Sequence, residues 1–143
     1  MNVYPDTSFL VSLYVLDANS PQAARKMRDP HAVFLLSDLA ELELMNALQQ
    51  RLFRKELKAV EIQASQTAFK EDLQAGVFQR RPVGTGVLYG RALQLSRKWT
   101  ATLGTRTLDI LHVAFALELR ADMFFTFDRQ QSKLAHAEGL KVF

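Results

Sequence analysis

Short apolar or aromatic runs alternate with amphipathic stretches along the whole of this sequence, and that alternation leaves few folds open. Ala32-Val33-Phe34-Leu35-Leu36 is continuously apolar, as a strand covered on both faces of a parallel sheet requires. Asp122 to Phe127 has the aromatic, β-prone character of a second such strand. Met1 to Tyr4 reads as a short opening strand that ends at Pro5, which has no N–H for a ladder. A further strand falls near Val77-Phe78 or Pro82-Val83, and Leu140 to Phe143 supplies a terminal one.

Helices fill the intervals. Asp6-Thr7-Ser8 offers capping oxygens to an apolar helix from Phe9 to about Leu16, and Ser20-Pro21 starts another with proline in its first turn. Ser37 or Asp38 caps a helix in which Leu39, Leu42, Leu48 and Leu52 recur at helical spacing. Lys58 to Ala75 stops at Gly76, and Val87 to Leu103 is closed by Gly104. Leu108 to Leu119 follows Thr107, and Arg129 to Glu138 ends at Gly139. The pattern predicts one α/β domain over residues 1–143, an α/β/α sandwich on a parallel sheet of four or five strands. Ligands of such folds sit beyond the carboxyl ends of the strands.

Composition narrows the chemistry. The chain has no cysteine, which removes disulfides, thiolate zinc sites and a cysteine nucleophile together. At 143 residues, 48% of them apolar, it can bury a core without staples. No stretch reaches the ~20 apolar residues of a spanning helix, and no targeting segment is evident, so a soluble, cytoplasmic protein is expected. A net charge of +3 permits a polyanionic partner without demanding one.

Acidic residues stand where a ligand would. Asp6 follows the first strand, Asp128 follows the Phe124–Phe127 run, Asp109 opens a helix, and Glu43 lies in the first two turns of another. Each also has a plain structural reading. Asp6 serves as a helix cap, Asp109 complements a helix dipole, and Asp128-Arg129 forms a turn. Glu43 is harder to dismiss, because Leu42, Asn46 and Ala47 around it suggest a partly buried face, and a buried carboxylate needs a counter-charge or a metal. Glu41, one position off that face, is expected to be solvated.

Four pieces of the chain carry a resemblance: Tyr4-Pro5-Asp6-Thr7-Ser8, Glu43-Leu44-Met45-Asn46-Ala47-Leu48, Arg106-Thr107-Leu108-Asp109-Ile110-Leu111-His112-Val113-Ala114, and Ala121-Asp122 with Thr126 and Asp128. In this order and spacing the chain resembles the PIN-domain nucleases, most of all the branch of VapC-type toxins. The resemblance implies a metal-dependent endoribonuclease that is the toxin of a toxin–antitoxin pair. It also implies an RNA substrate, an antitoxin partner and self-association as a homodimer. It places the acidic positions on Asp6, Glu43, Asp109 and Asp128, holding one or two Mg²⁺ or Mn²⁺ ions, with Asp128 at the position that varies in the family. Pro5 stands where many members have an aliphatic residue. The alternatives are a DNA-directed nuclease of the same chemistry and a non-catalytic interaction module on the same fold.

Physical chemistry agrees with that ligand set, since carboxylates without cysteine suit hard divalent cations better than zinc. Asp6 and Asp109 are expected as principal ligands, Glu43 as a ligand or as the group orienting the attacking water, and Asp128 as acting through a water. Thr7, Ser8, Asn46 and Thr126 are the candidates for holding those carboxylates. His112, three residues after Asp109, is assigned a packing or hydrogen-bonding role. No acidic residue lies between Asp72 and Asp109, where Arg80, Arg81, Arg91, Arg97, Lys98 and Arg106 occur, and Arg51, Arg54, Lys55 and Lys58 form a second basic set. Such cations would either draw a polyanion past an acidic site or form a solvated face. Arg106, just before the Asp109 helix, is the candidate for substrate binding. Trp99 and Tyr89 are assigned to core or dimer packing rather than to base stacking.

Overall fold

The computed structural model of the chain describes residues Met1 to Phe143. Five short strands form one sheet: β1 (Asn2–Pro5), β2 (Val33–Leu36), β3 (Phe78–Arg80), β4 (Met123–Phe125) and β5 (Lys141–Val142). All neighbours pair in parallel, in the order β3-β2-β1-β4-β5. The crossovers hold α1 (Thr7–Tyr14), α2 (Ser20–Lys26), α3 (Asp38–Phe53), α4 (Ala59–Gln74), α5 (Thr85–Leu95), α6 (Ala101–Leu103), α7 (Thr107–Glu118) and α8 (Arg129–Ala137). None of these helices is long and apolar enough to cross a membrane.

Strand side chains alternate between faces, and the core divides accordingly. Tyr4, Leu35 and Phe124 point to one side, where α5, α7 and α8 pack through Leu88, Leu95, Val113, Phe115 and Leu134. Val3, Phe34, Leu36 and Phe125 point to the other, against Phe9, Leu10, Leu44, Leu48 and Phe69 of α1, α3 and α4. The result is the expected α/β/α sandwich.

Several boundaries differ from expectation, each for a local reason. Pro5 does not stop β1 short; it is buried as the last strand residue, opposite Phe125, and the ladder resumes at once with Asp6 N–H donating to the Phe125 carbonyl at 2.9 Å. Helix α1 ends at Tyr14, which leaves Leu16 91% exposed. In α3 the buried stripe is Ala40, Leu44 and Leu48, an i, i+4 series, so Leu42 is 67% exposed and Leu52 lies at the edge of exposure. β4 is three residues long because Thr126 to Asp128 turn out of the sheet, where Ser8 Oγ accepts Phe127 N–H and Thr126 Oγ1 accepts Asp128 N–H, both at 2.9 Å. The expected helix from Val87 to Leu103 is interrupted by a π turn at Ser96–Thr100 before it ends at Gly104, whose φ of +65° favours glycine.

The strand order carries a functional consequence. From β1 the chain builds outward to β2 and β3, then returns to place β4 on the opposite side of β1. The reversal falls between β1 and β4, and in open parallel sheets the crevice at such a switch point is where ligands bind. Asp6 follows β1 directly, and Thr126 to Asp128 follow β4.

Candidate active site

Asp6 caps α1 and is 2% exposed. Its Oδ1 accepts Phe9 N–H at 3.0 Å and the Ser8 hydroxyl at 2.6 Å, and its Oδ2 accepts the Thr126 hydroxyl at 2.5 Å. Burial pushes its pKa above the ordinary carboxylate value, against the pull of His112 and of those donors. Ser8 and Thr126 also bind the backbone just past β4, so they hold the ends of β1 and β4 together around Asp6.

Glu43 reaches in from the second turn of α3, half-buried. Its Oε1 accepts the Thr7 hydroxyl at 2.8 Å and a short hydrogen bond from His112 Nε2. Burial works to raise its pKa, but the bonds from His112 and Thr7 outweigh it and hold the carboxyl below its usual value. Behind it runs a buried polar chain. The His112 ring links Glu43 to Tyr4, whose hydroxyl lies 2.8 Å from Nδ1, and the Ser37 hydroxyl lies 2.7 Å from that of Tyr4. Ser37 in turn caps α3, accepting Ala40 N–H at 3.1 Å. Burial drives the Tyr4 pKa far up, which keeps its hydroxyl protonated and able to donate.

Asp109 is buried in the first turn of α7, and Asp128 caps α8. The Arg106 guanidinium spans them. Its Nε donates to Asp109 Oδ2 at 3.0 Å, and Nη2 reaches Asp109 Oδ1 at 3.4 Å and Asp128 Oδ2 at 3.5 Å. Asp128 Oδ1 is taken by the backbone N–H groups of Gln130 and Gln131. All four carboxylates, with Arg106, His112 and Gln131, line one cleft of about 310 Å³, in which Leu108 is the single apolar side chain.

The structure therefore brings together Asp6, Glu43, Asp109, Asp128, Thr7, Ser8, Thr126 and Arg106. It does not bring in Asn46, which is exposed and bonds to none of the carboxylates. The reason is helical phase: α3 packs through Leu44 and Leu48, and Asn46, two positions from each, stands on the opposite side. Sequence reasoning missed the Tyr4–Ser37 link, the bond from His112 to Glu43, and Gln131. A signal existed for two of these, since His112 and Gln131 each lie three residues beyond an acid and so share its helix face.

The donor set is all oxygen and anionic, which fits a hard divalent cation in kind. As it stands, no three histidine, aspartate or glutamate side chains are drawn together tightly enough to hold a metal ion. Each acid is instead satisfied locally: Asp6 by hydroxyls and a backbone N–H, Glu43 by Thr7 and His112, and Asp109 and Asp128 by Arg106. Arg106 lies between the Asp109 and Asp128 carboxylates. The remaining basic residues are less available than their number suggests. Arg80 pairs with Glu41, Arg91 with Glu118, Lys98 with Glu138, and Arg51 and Arg54 with Glu56, whereas Arg81, Arg97, Lys55 and Lys58 have no ion pair. Glu41 is thus paired rather than simply solvated. Trp99 packs on the core and donates its indole N–H to Glu138 at 2.5 Å, and Tyr89 lies half-exposed on α5.

Comparison with known proteins places the architecture. The sequence profile of the PIN domain matches residues 3–137. No curated protein matches the chain significantly. Among solved structures, Mycobacterium tuberculosis VapC20, a sarcin-ricin loop cleaving toxin, is 20% identical with a TM-score of 0.68, over 96% of this chain and 95% of that one. Rickettsia felis VapBC2, bound to a DNA fragment from its promoter, is 13% identical with a TM-score of 0.68, over 100% and 98%. FitAcB from Neisseria gonorrhoeae is 16% identical with a TM-score of 0.61, over 99% and 96%. At these identities the likeness is one of fold, and with the profile match it is decisive at that level: the chain belongs to the PIN-domain family.

Proposed function

We propose that this protein is a divalent-metal-dependent endoribonuclease, the toxin of a type II toxin–antitoxin pair. The observation that carries the reading is the convergence of Asp6, Glu43, Asp109 and Asp128, from four separate elements, on one polar cleft at the sheet's switch point. Asp6 and Asp109 would hold Mg²⁺ or Mn²⁺, with Glu43 and Asp128 completing the set directly or through water. A cation so held lowers the pKa of a water and offsets charge on the phosphate. The protein's own contribution is positional. Ser8, Thr126 and Phe9 N–H fix both oxygens of Asp6, and Thr7 and His112 aim Glu43. Arg106 gives Asp109 and Asp128 a counter-charge, and once released from them it is placed to contact a phosphate.

The partner readings have separate support. An apolar groove between α5 and α7, bordered by Tyr89, Leu93, Ile110 and Leu111, suits self-association as a homodimer. The likeness to VapBC2 and FitAcB supports an antitoxin partner encoded alongside, and a cytoplasmic setting follows for a protein acting on RNA. Cleavage-site mapping on total RNA tests the whole reading. The wild type should give discrete Mg²⁺- or Mn²⁺-dependent cuts, and Asp109→Asn should give none. Full cleavage by Asp109→Asn would refute the site, and cleavage of DNA in preference to RNA would transfer the same chemistry to a different substrate.

A further inference from the structure

Gln131 sits in the first turn of α8, three residues after Asp128, and lines the cleft. Its side chain offers two N–H donors and a carbonyl acceptor, groups that are costly to bury unpaired. The residue is 2% exposed, yet its amide makes no hydrogen bond with the protein, and its Oε1 is the one buried side-chain polar atom in the chain without a partner. The donors beside the four acids are engaged. The Ser8 and Thr126 hydroxyls donate to Asp6, the Thr7 hydroxyl donates to Glu43, and Arg106 donates to Asp109 and Asp128.

The type of group missing from the cleft decides what the amide is for. Four carboxylates supply acceptors in excess of what a hydrated cation needs. A phosphodiester, whose exposed oxygens only accept, requires donors, and the Ser8, Thr126 and Thr7 hydroxyls are already given to the cleft's own acids; beside the exposed Thr107 hydroxyl, the Gln131 amide is a lining donor given to none of them. Of the two ends of the Gln131 amide only Oε1 is sealed from solvent, so the NH₂, bonded to nothing in the protein, is the end open to an incoming acceptor. We infer that Gln131 is a substrate-positioning residue, its amide N–H donating to a phosphate oxygen of the bound strand. The inference rests on the nuclease reading above and deepens it: the orphaned amide is the neutral arm of a phosphate clamp whose charged arm is Arg106.

The test uses the full chain, a 5′-labelled single-stranded RNA carrying a mapped cleavage site, and Mn²⁺. Gln131→Leu keeps the shape and removes every hydrogen bond. It should raise KM about tenfold, the scale of one lost hydrogen bond in a desolvated site, while kcat stays within about twofold. Mn²⁺ affinity measured calorimetrically without RNA should be unchanged, and Tm should not fall. Gln131→Glu, which replaces the donor by a charged acceptor, should raise KM further and carries the test if the leucine variant does not fold. An unchanged KM in both variants, with the wild type active, overturns the inference alone. Weakened Mn²⁺ binding at unchanged KM also overturns it, because the amide would then serve the cation's water shell. A wild type that cuts neither RNA nor DNA removes the nuclease reading and this inference with it.

Discussion

A carboxylate sealed from water works against the fold, and Asp6 is 2% exposed. Burial raises its pKa, so the folded chain prefers it protonated. For an acid whose folded pKa lies above its unfolded value, stability is full below the unfolded pKa and is lost as the pH rises through the folded one. Asp6→Asn should therefore raise the metal-free Tm at neutral pH by about 2–4 °C, the shift that ~1 kcal/mol produces in a chain of this size. The gain should vanish in acid. Thermal melts from pH 3 to 8 check this, and a variant less stable than wild type at neutral pH would show that the three donors outweigh the burial. Asp6 was legible in the sequence because a strand end and a helix cap coincide there. The cap reading of Asp6 holds, and Asp128, read as part of a turn, caps a helix as well; each does so with one oxygen while lining the cleft. His112 was legible only as a neighbour of Asp109. Its bond to Glu43 joins α7 to α3 across 69 residues, a contact that no spacing rule reports.

Elements were legible in number and order but less so in phase. The leucines of α3 read as one stripe through Leu39, Leu42, Leu48 and Leu52, but the face that is buried depends on where the sheet and α1 meet the helix, a tertiary fact. The phase makes a direct prediction. Leu44→Ala, in the fully buried stripe, should cost about 2–5 kcal/mol, while Leu42→Ala on the exposed face should stay within about 0.5 kcal/mol, both measured by urea unfolding. Equal effects would mean that α3 is rotated. The π turn was invisible for a similar reason, since the Val87–Leu103 stretch is compatible with an unbroken helix until Trp99 and Lys98 bond to Glu138 at the C-terminal end of α8. Burial works to raise Glu138, but those two bonds and the charges of Lys98 and Arg91 hold its pKa below the usual value. A lowered acid contributes stability above its unfolded pKa and loses it as the pH falls through the folded one. Glu138→Gln should thus lower Tm by a few degrees at pH 7 and match the wild type once the pH falls below the carboxylate range. A gap that persists in acid would mean that shape, not charge, holds the π turn.

Over the whole molecule, strand–helix alternation was enough to predict a parallel sheet, but not its order, and the order is what creates the cleft. Had β4 joined the sheet beside β3, two strands would separate Asp128 from Asp6; the reversal at β1 makes them neighbours. Assembling four acids in this way loads one edge of the protein with negative charge, and Arg106 is the group that makes the metal-free fold tolerate it. On the metal-dependent reading proposed above, Arg106 and a divalent cation compete for Asp109 and Asp128. Mn²⁺ at about 100 times its Kd should stabilise the wild type by ~2.7 kcal/mol, seen as a Tm rise of about 5–11 °C. Asp109→Asn should lose nearly all of that rise. Arg106→Gln should start from a lower metal-free Tm, because two carboxylates lose their counter-charge, yet bind Mn²⁺ several-fold more tightly, because nothing must leave first. Thermal shift and calorimetric titration of the three proteins separate these effects. An equal Mn²⁺ shift in wild type and Asp109→Asn would place the ion elsewhere, and weaker Mn²⁺ binding by Arg106→Gln would make the arginine a support for the ion rather than its rival.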